Sequence, residues 1–349
     1  MKVLVAMSGG VDSSVAAALL RDAGHDVVGV TMRLWGGDSD SGCCSVADVD
    51  DARRVAQQLD IDHLVFNFSE DFDARVVDPY VAAHVAGTTP NPCIECNRHL
   101  KFDRLAERAA VLGFDAVATG HHARIAGDGE GQVRLRRGAD RAKDQSYVLH
   151  MLDQAALART LFPVGEFETK AELRAIAARL GLRTAAKPDS QDVCFITSGA
   201  GRAGFLSRRV AFHPARVVDS GGAAVGSVAA VELVTVGQRR GLGLSGGGPK
   251  RFVVDVDRSA GVVTVGDETD LLVESTAATR PMWVDGPVGG PVLVQCAAHG
   301  APRAATISST PGDGVSVTWT ERARRVAPGQ SVVFYDETDE YVLGGATAT

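Results

Sequence analysis

A doubly wound parallel-sheet α/β domain, a small central mostly-β domain and a C-terminal β-barrel are the fold predicted by three observations. Short apolar runs alternate with helical patterns over about the first 120 residues, helical periodicity fades after about Gly204, and the rest reads as Val-rich strands separated by glycine pairs. The expected domains are 1–204, 205–275 and 276–349.

Val3 to Met7, Val27 to Met32, Leu64 to Phe68 and Ala116 to Thr119 read as the parallel strands. Between the first two, Val11, Val15, Ala18 and Leu19 recur at helical spacing and Gly24 stops the run. Val49, Ala52, Ala56 and Leu59 repeat that pattern, and Phe72 to Gly87 and Leu100 to Gly113 supply two more helices. Pro90 and Pro92 predict that Thr88 to Arg98 is a loop. Thr169 and Glu172 form a capping box ahead of Leu173, Ile176, Ala177 and Leu180, with Gly181 as the stop. Arg216 to Asp219, Phe252 to Asp257 and Val262 to Val265 are the central strands. Val292 to Cys296, Ala304 to Ile307, Val315 to Trp319 and Val332 to Tyr335 are assigned to the barrel.

The composition, 45 % hydrophobic and 23 % charged, excludes a disordered or fibrous chain. No apolar run approaches the ~18 residues of a membrane span, and the first is too short for a signal peptide, so a cytoplasmic location is expected. A net charge of −7 confines nucleic-acid contacts to local patches, of which Arg134, Arg136, Arg137, Arg141 and Lys143 form one. Only six of the 36 cationic residues are lysines, a bias produced equally by genomic composition or by phosphate recognition. Six cysteines in a chain read as unexported suggest thiol chemistry rather than a disulfide framework.

Ser8-Gly9-Gly10-Val11-Asp12-Ser13-Ser14 lies between the first strand and the first helix, where unpaired N–H groups and the helix dipole favour an anion. Its glycines let the backbone approach phosphate oxygens, Ser8 and Ser13 add hydroxyls, and Asp12 suits Mg2+. Cys93-Ile94-Glu95-Cys96 is a C-x-x-C pair, compatible with metal ligation, redox exchange or a nucleophile with a helper. A second C-x-x-C for a zinc site is missing from the sequence. Cys194 follows the polar stretch Pro188 to Val193, which predicts a thiol on a mobile loop, with a buried apolar role as the alternative. Cys43 and Cys44 read as loop packing and Cys296 as core.

Ser-Gly-Gly-x-Asp-Ser resembles the pyrophosphate loop of ATP pyrophosphatases, and the whole chain is similar to the tRNA-specific 2-thiouridylase family. The segments that carry the resemblance are Ala6 to Ser14, Gly42 to Ser45, Thr89 to Arg98, Ala118 to Arg124, Lys143 to Tyr147, Lys187 to Ile196, Gly237 to Gly243 and Ala327 to Gln330. It implies ATP held by Ala6, Met7, Ser8, Gly9, Gly10, Val11, Asp12 and Ser13, by Met32 and by Gly120. It further implies Cys96 as nucleophile, Cys194 as persulfide carrier, and a Cys96–Cys194 disulfide after turnover. Asn91, Pro92 and Cys93 would meet the target base of a tRNA, and Lys143, Asp144 and Gln145 would contact the tRNA elsewhere. A cysteine desulfurase or sulfur-relay protein would supply the sulfur. A [4Fe–4S] cluster on Cys93, Cys96 and Cys194 is the second option for these thiols. His121-His122 departs from the family's His-Tyr, and Cys93 stands where some members carry Asp.

Overall fold

The computed structural model describes residues 1–34, 45–127, 129, 131–189, 193–196, 199, 201–244 and 248–349. Cys43 and Cys44 lie outside them.

Five parallel strands form the first sheet: β1 (Lys2–Ala6), β2 (Asp26–Arg33), β3 (Asp62–Asn67), β4 (Ala116–Ala118) and, after a further hairpin, Thr160–Leu161. The order is β3-β2-β1-β4 and then Thr160–Leu161, so the chain leaves β1 in both directions. Ligands bind at such a switch point, beyond the carboxyl ends of the strands. Helix α1 (Val11–Asp22), α2 (Val46–Gln58) and a later helix, Lys170–Arg179, cover one face. Val3, Val5 and Met7 point into that layer, while Leu4 and Ala6 point into the opposite one, so β1 is apolar on both sides.

The opposite layer holds helix α3 over 69–86 and helix α4 over 92–111. Both widen into π-type turns, over Asp73–Val77 and Asn97–Arg104. Helix α4 corrects the expected loop over Thr88 to Arg98, because it begins at Pro92. Asn91 is its N-cap, its side chain accepting from Cys93 N at 3.0 Å, and proline is at home in the first turn, where no intrahelical N–H partner is needed. Cys93 and Cys96 therefore stand on helical backbone.

A hairpin, β5 (Ala123–Gly127) with β6 (Val133–Arg137), follows β4; Thr160–Leu161 is β7, Lys170–Arg179 is α5, and Gly201–Ser207 is α6. The central sheet has the order β10-β11-β8-β9, from β8 (Ala215–Asp219), β9 (Ala224–Val228), β10 (Phe252–Asp257) and β11 (Val262–Gly266). The closed barrel contains β12 (Leu272–Trp283), β13 (Gly290–Gln295), β14 (Arg303–Thr310), β15 (Gly314–Arg324), β16 (Ser331–Tyr335) and β17 (Val342–Ala348). It packs on the hairpin through Leu135, Tyr147, Val333, Tyr335 and Val342. Cys296 is half-buried against the barrel interior, and that burial raises its thiol to about 12.

The arginine patch is corrected as well. Arg137 is buried between Asp144 at 2.7 Å and Asp339 at 2.6 Å, Arg136 meets Glu340 at 2.8 Å, and Arg141 pairs with Glu340. Asp144 comes from the turn after β6, and the barrel loop after β16 supplies Asp339 and Glu340, so most of the positive charge is answered inside the protein.

Candidate active site

The turn from β1 into α1 is held by its own side chains. Ser8 N donates to Ser13 Oγ at 3.2 Å, and Ser14 Oγ donates to Gly10 O at 2.7 Å. Gly9 has φ +71°, and a Cβ there would lie 2.4 Å from Asp48 O. At Gly120, beyond β4, a Cβ would lie 2.6 Å from Ser13 N, so glycine lets the two loops of the switch point touch.

Asp12 lies between two cationic or ionisable partners. Lys170 Nζ stands 2.5 Å from its carboxylate and His122 Nε2 stands 3.2 Å from it. Burial would raise the Asp12 carboxyl, but the bonds to His122 and Lys170 outweigh it and hold the group below its ordinary range. Lys170 also reaches Asp189 at 3.2 Å, and Lys143 reaches the same residue at 3.0 Å. Lys187 donates to Gly9 O at 2.9 Å, Asp48 at 2.6 Å and Asp51 at 2.8 Å. The result is a loop chamber of about 370 Å³ lined by Ser8, Asp12, Ser13, Gly120, Lys143 and Lys170 among others.

A second chamber of about 460 Å³ opens beside it, lined by Met32, Asn91, Cys93, Cys96, Tyr147 and Cys194 among others. The structure thus brings both predicted cysteines, 98 positions apart in sequence, to one cavity. Cys93 is exposed, Cys96 buried and Cys194 half-buried, all three as thiols. Beside Cys194, Phe195 is buried against Phe72 at 5.6 Å, Tyr80 at 5.5 Å and Phe205 at 5.0 Å. This aromatic anchor seats the neighbouring thiol. Among the described residues no group of three or more His, Cys, Asp or Glu side chains is gathered tightly enough to hold a metal ion, so the three-cysteine arrangement of a cluster is not formed.

Ala6, Ser8, Lys101, His121, Gln145 and His299 line both chambers and form their common wall. Gln145 is fixed by accepting from His122 N at 2.9 Å and donating to His122 O at 2.9 Å through its own backbone. Asp144 accepts from Arg137, from Gly138 N at 2.9 Å and from Ser146 Oγ at 2.8 Å, and so braces this turn. His121 is held well below its usual range by burial first, then by the Lys101 and His122 charges. Lys101, Lys170 and His299 belong to no motif legible beforehand. One signal was available for the lysines: they are rare in this chain, yet four of the six line the loop chamber.

The chain is 48 % identical over 360 residues to a protein named tRNA-specific 2-thiouridylase MnmA in Mycobacterium sp. (strain JLS), covering 99 % of this chain and 98 % of that one. The chain belongs to the tRNA-specific 2-thiouridylase family. A homologue of the same name in Chloroflexus aggregans is 47 % identical, with 98 % and 97 % covered. Family models match in the same order: a tRNA methyl transferase HUP domain over residues 1–198, a PRC-barrel domain over 203–267 and an aminomethyltransferase beta-barrel domain over 274–348. A 4-thiouridine synthetase–RNA complex with bound ATP aligns with 55 % of this chain and 44 % of that one at 18 % identity and TM-score 0.37. NMN synthetase from Francisella tularensis aligns with 54 % and 66 % at 17 % identity and TM-score 0.35.

Proposed function

We propose that this protein replaces the C2 oxygen of the wobble uridine of certain tRNAs by sulfur, consuming ATP to AMP and pyrophosphate in the cytoplasm. The observation that carries the reading is the common wall between a phosphate-loop chamber and a chamber holding Cys96 and Cys194. Adenylation and sulfur attack require that adjacency, since both act on one carbon and its oxygen.

Residues 1–204 are the catalytic domain in this reading, with 205–275 and 276–349 behind it. Ala6 to Ser13, Met32 and Gly120 hold ATP at the strand ends. Mg2+, bound through Asp12, would neutralise the pyrophosphate leaving group, and that requires Asp12 to exchange Lys170 for the ion. The uridine O2 attacks the α-phosphorus, the bond to the β-phosphate oxygen breaks, and pyrophosphate departs. The C2 oxygen then leaves as part of AMP. Asn91, Pro92 and Cys93 border the base, while Lys143, Asp144 and Gln145 lie on the tRNA side.

A desulfurase or relay protein loads Cys194 with a terminal sulfur. That sulfur attacks C2, AMP departs, and the base becomes joined to Cys194 by an S–S bond. Cys96 thiolate attacks Cys194 Sγ, releases 2-thiouridine and leaves a Cys96–Cys194 disulfide, which two electrons from a thiol reductant reset. Incubation with tRNA, ATP and a loaded sulfur donor should yield 2-thiouridine on mass spectrometry, with AMP and pyrophosphate in step. Modified tRNA without ATP consumption would contradict the reading.

A further inference from the structure

Of the four lysines around the loop chamber, three are neutralised: Lys143 by Asp189, Lys170 by Asp12 and Asp189, and Lys187 by Asp48 and Asp51. Lys101 differs. Among the described residues its side chain makes no ion pair or hydrogen bond, although it lines both chambers and its charge acts on His121 in their common wall. It stands on α4 five residues, one π-type turn, beyond Cys96, within the widened stretch Asn97–Arg104. The helix that carries the thiols thus also delivers an unanswered cation to the junction. An ammonium is a compact point charge on a flexible stem, able to follow an anion between two positions as a forked guanidinium in a fixed pair cannot.

We propose that Lys101 is a catalytic residue that binds the α-phosphate oxygens in both half-reactions, an assignment that rests on the thiouridylase reading above. In the first, O2 attacks the α-phosphorus and negative charge builds on its non-bridging oxygens while pyrophosphate leaves. In the second, sulfur attacks C2 and the same phosphate departs on AMP. Lys101 forms and breaks no covalent bond; it stabilises charge on one side of the wall in the first step and across it in the second. The three paired lysines stay with the loop and the outer phosphates.

The test compares wild type, Lys101→Gln, Lys101→Met and Lys101→Arg in single-turnover release of pyrophosphate with saturating ATP and tRNA. The Gln and Met variants should be slower by about 100-fold, the usual loss when one preorganised charge donor is removed. Their melting temperatures and their apparent affinity for tRNA should be unchanged, and Arg should restore part of the rate. Rates within about threefold of wild type overturn the proposal. So does a loss lying wholly in tRNA affinity with the salt slope reduced by about one, which makes Lys101 a backbone-phosphate ligand. Absence of 2-thiouridine with wild-type protein and a loaded donor overturns the underlying reading as well, and is distinguished by that control alone.

Discussion

Apart from Lys101, the lysines that line the loop chamber are answered by carboxylates, whereas sulfur, aromatic rings and aliphatic side chains make up much of the thiol chamber's wall. Asp12, Lys170, Asp189 and Lys143 form a continuous series of ion pairs on one side of the wall. Met32, Phe72, Val76, Tyr147 and Phe195 occupy the other. A polar network holds its geometry through many short contacts and is rearranged by a competing ion; an apolar pocket holds its geometry by packing and is loosened by anything that wets it. The difference implies a division of labour, and four experiments can break or sharpen it.

The largest effect is expected from the cysteines. Cys96→Ser and Cys194→Ser should each abolish 2-thiouridine formation while tRNA-dependent pyrophosphate release persists, because neither thiol lines the loop chamber. Mass spectrometry of the tRNA alongside a pyrophosphate assay separates the two. If both activities fell together, the chambers would not be independent.

Next comes Asp12→Asn, which keeps the shape but removes the charge that faces Lys170 and His122. Pyrophosphate release should fall by about 100-fold. Persulfide loading of Cys194, followed by label from a desulfurase, should continue. Normal release by this variant would remove Asp12 from the chemistry.

Acid should then act on one chamber before the other. His84 and His150 are almost fully buried, and burial, the largest cause in both, depresses each to about 4 from 6.5. Both support the thiol side: His150 bonds Tyr147 O at 2.9 Å, and His84 packs 4.6 Å from Tyr80, which touches Phe195. The unfolded chain takes up these protons near pH 6.5 and the folded one only near 4. Their stabilisation is therefore full above 6.5 and is lost as pH falls through that window, on the order of 3 kcal/mol for each histidine. Asp12 is lowered too, but from 3.8, so its contribution is full above the ordinary carboxylate range and is lost only as pH falls below it. Melting curves between pH 7 and 4 should show a steep decline. His84→Gln should blunt it, and an unaltered pH profile in that variant would contradict the assignment.

The two chambers also differed in how far they could be read beforehand. Ser8 to Ser13 advertised itself because a phosphate loop is local: strand, glycines and helix start follow one another in sequence. The thiol chamber is assembled from α4, the segment around Cys194 and a barrel loop bearing Ala298 and His299, and periodicity contains nothing about such distances. Pro92 read as a breaker because proline is ambiguous until the capping role of Asn91 is seen. Strands β12 and β17 went unread because Leu272–Trp283 and Val342–Ala348 mix Thr, Ala and Gly and lack alternation; Gly345 is required where His150 would meet a Cβ at 2.4 Å. The arginine patch misled because its carboxylates, Asp339 and Glu340, lie about 200 positions downstream.

The smallest effect concerns that patch, and it tests whether charge answered internally can still serve tRNA. Arg141 is exposed and pairs with Glu340, and Lys143 pairs with Asp189 at 3.0 Å. Such exposed pairs contribute about 0.2–1 kcal/mol, so Arg141→Ala with Lys143→Ala should barely move the melting temperature. A tRNA phosphate can displace a carboxylate from an exposed cation at little cost, whereas buried Arg137, held by Asp144 and Asp339, cannot be recruited. The double variant should therefore weaken tRNA binding and flatten the dependence of log affinity on log salt by about 0.7–0.9 for each phosphate that is no longer neutralised. Arg137→Ala should instead lower stability and leave the slope alone. A slope unchanged in the double variant would place the tRNA on another face, and the loop chamber would then lose its claim to border the tRNA side of the wall.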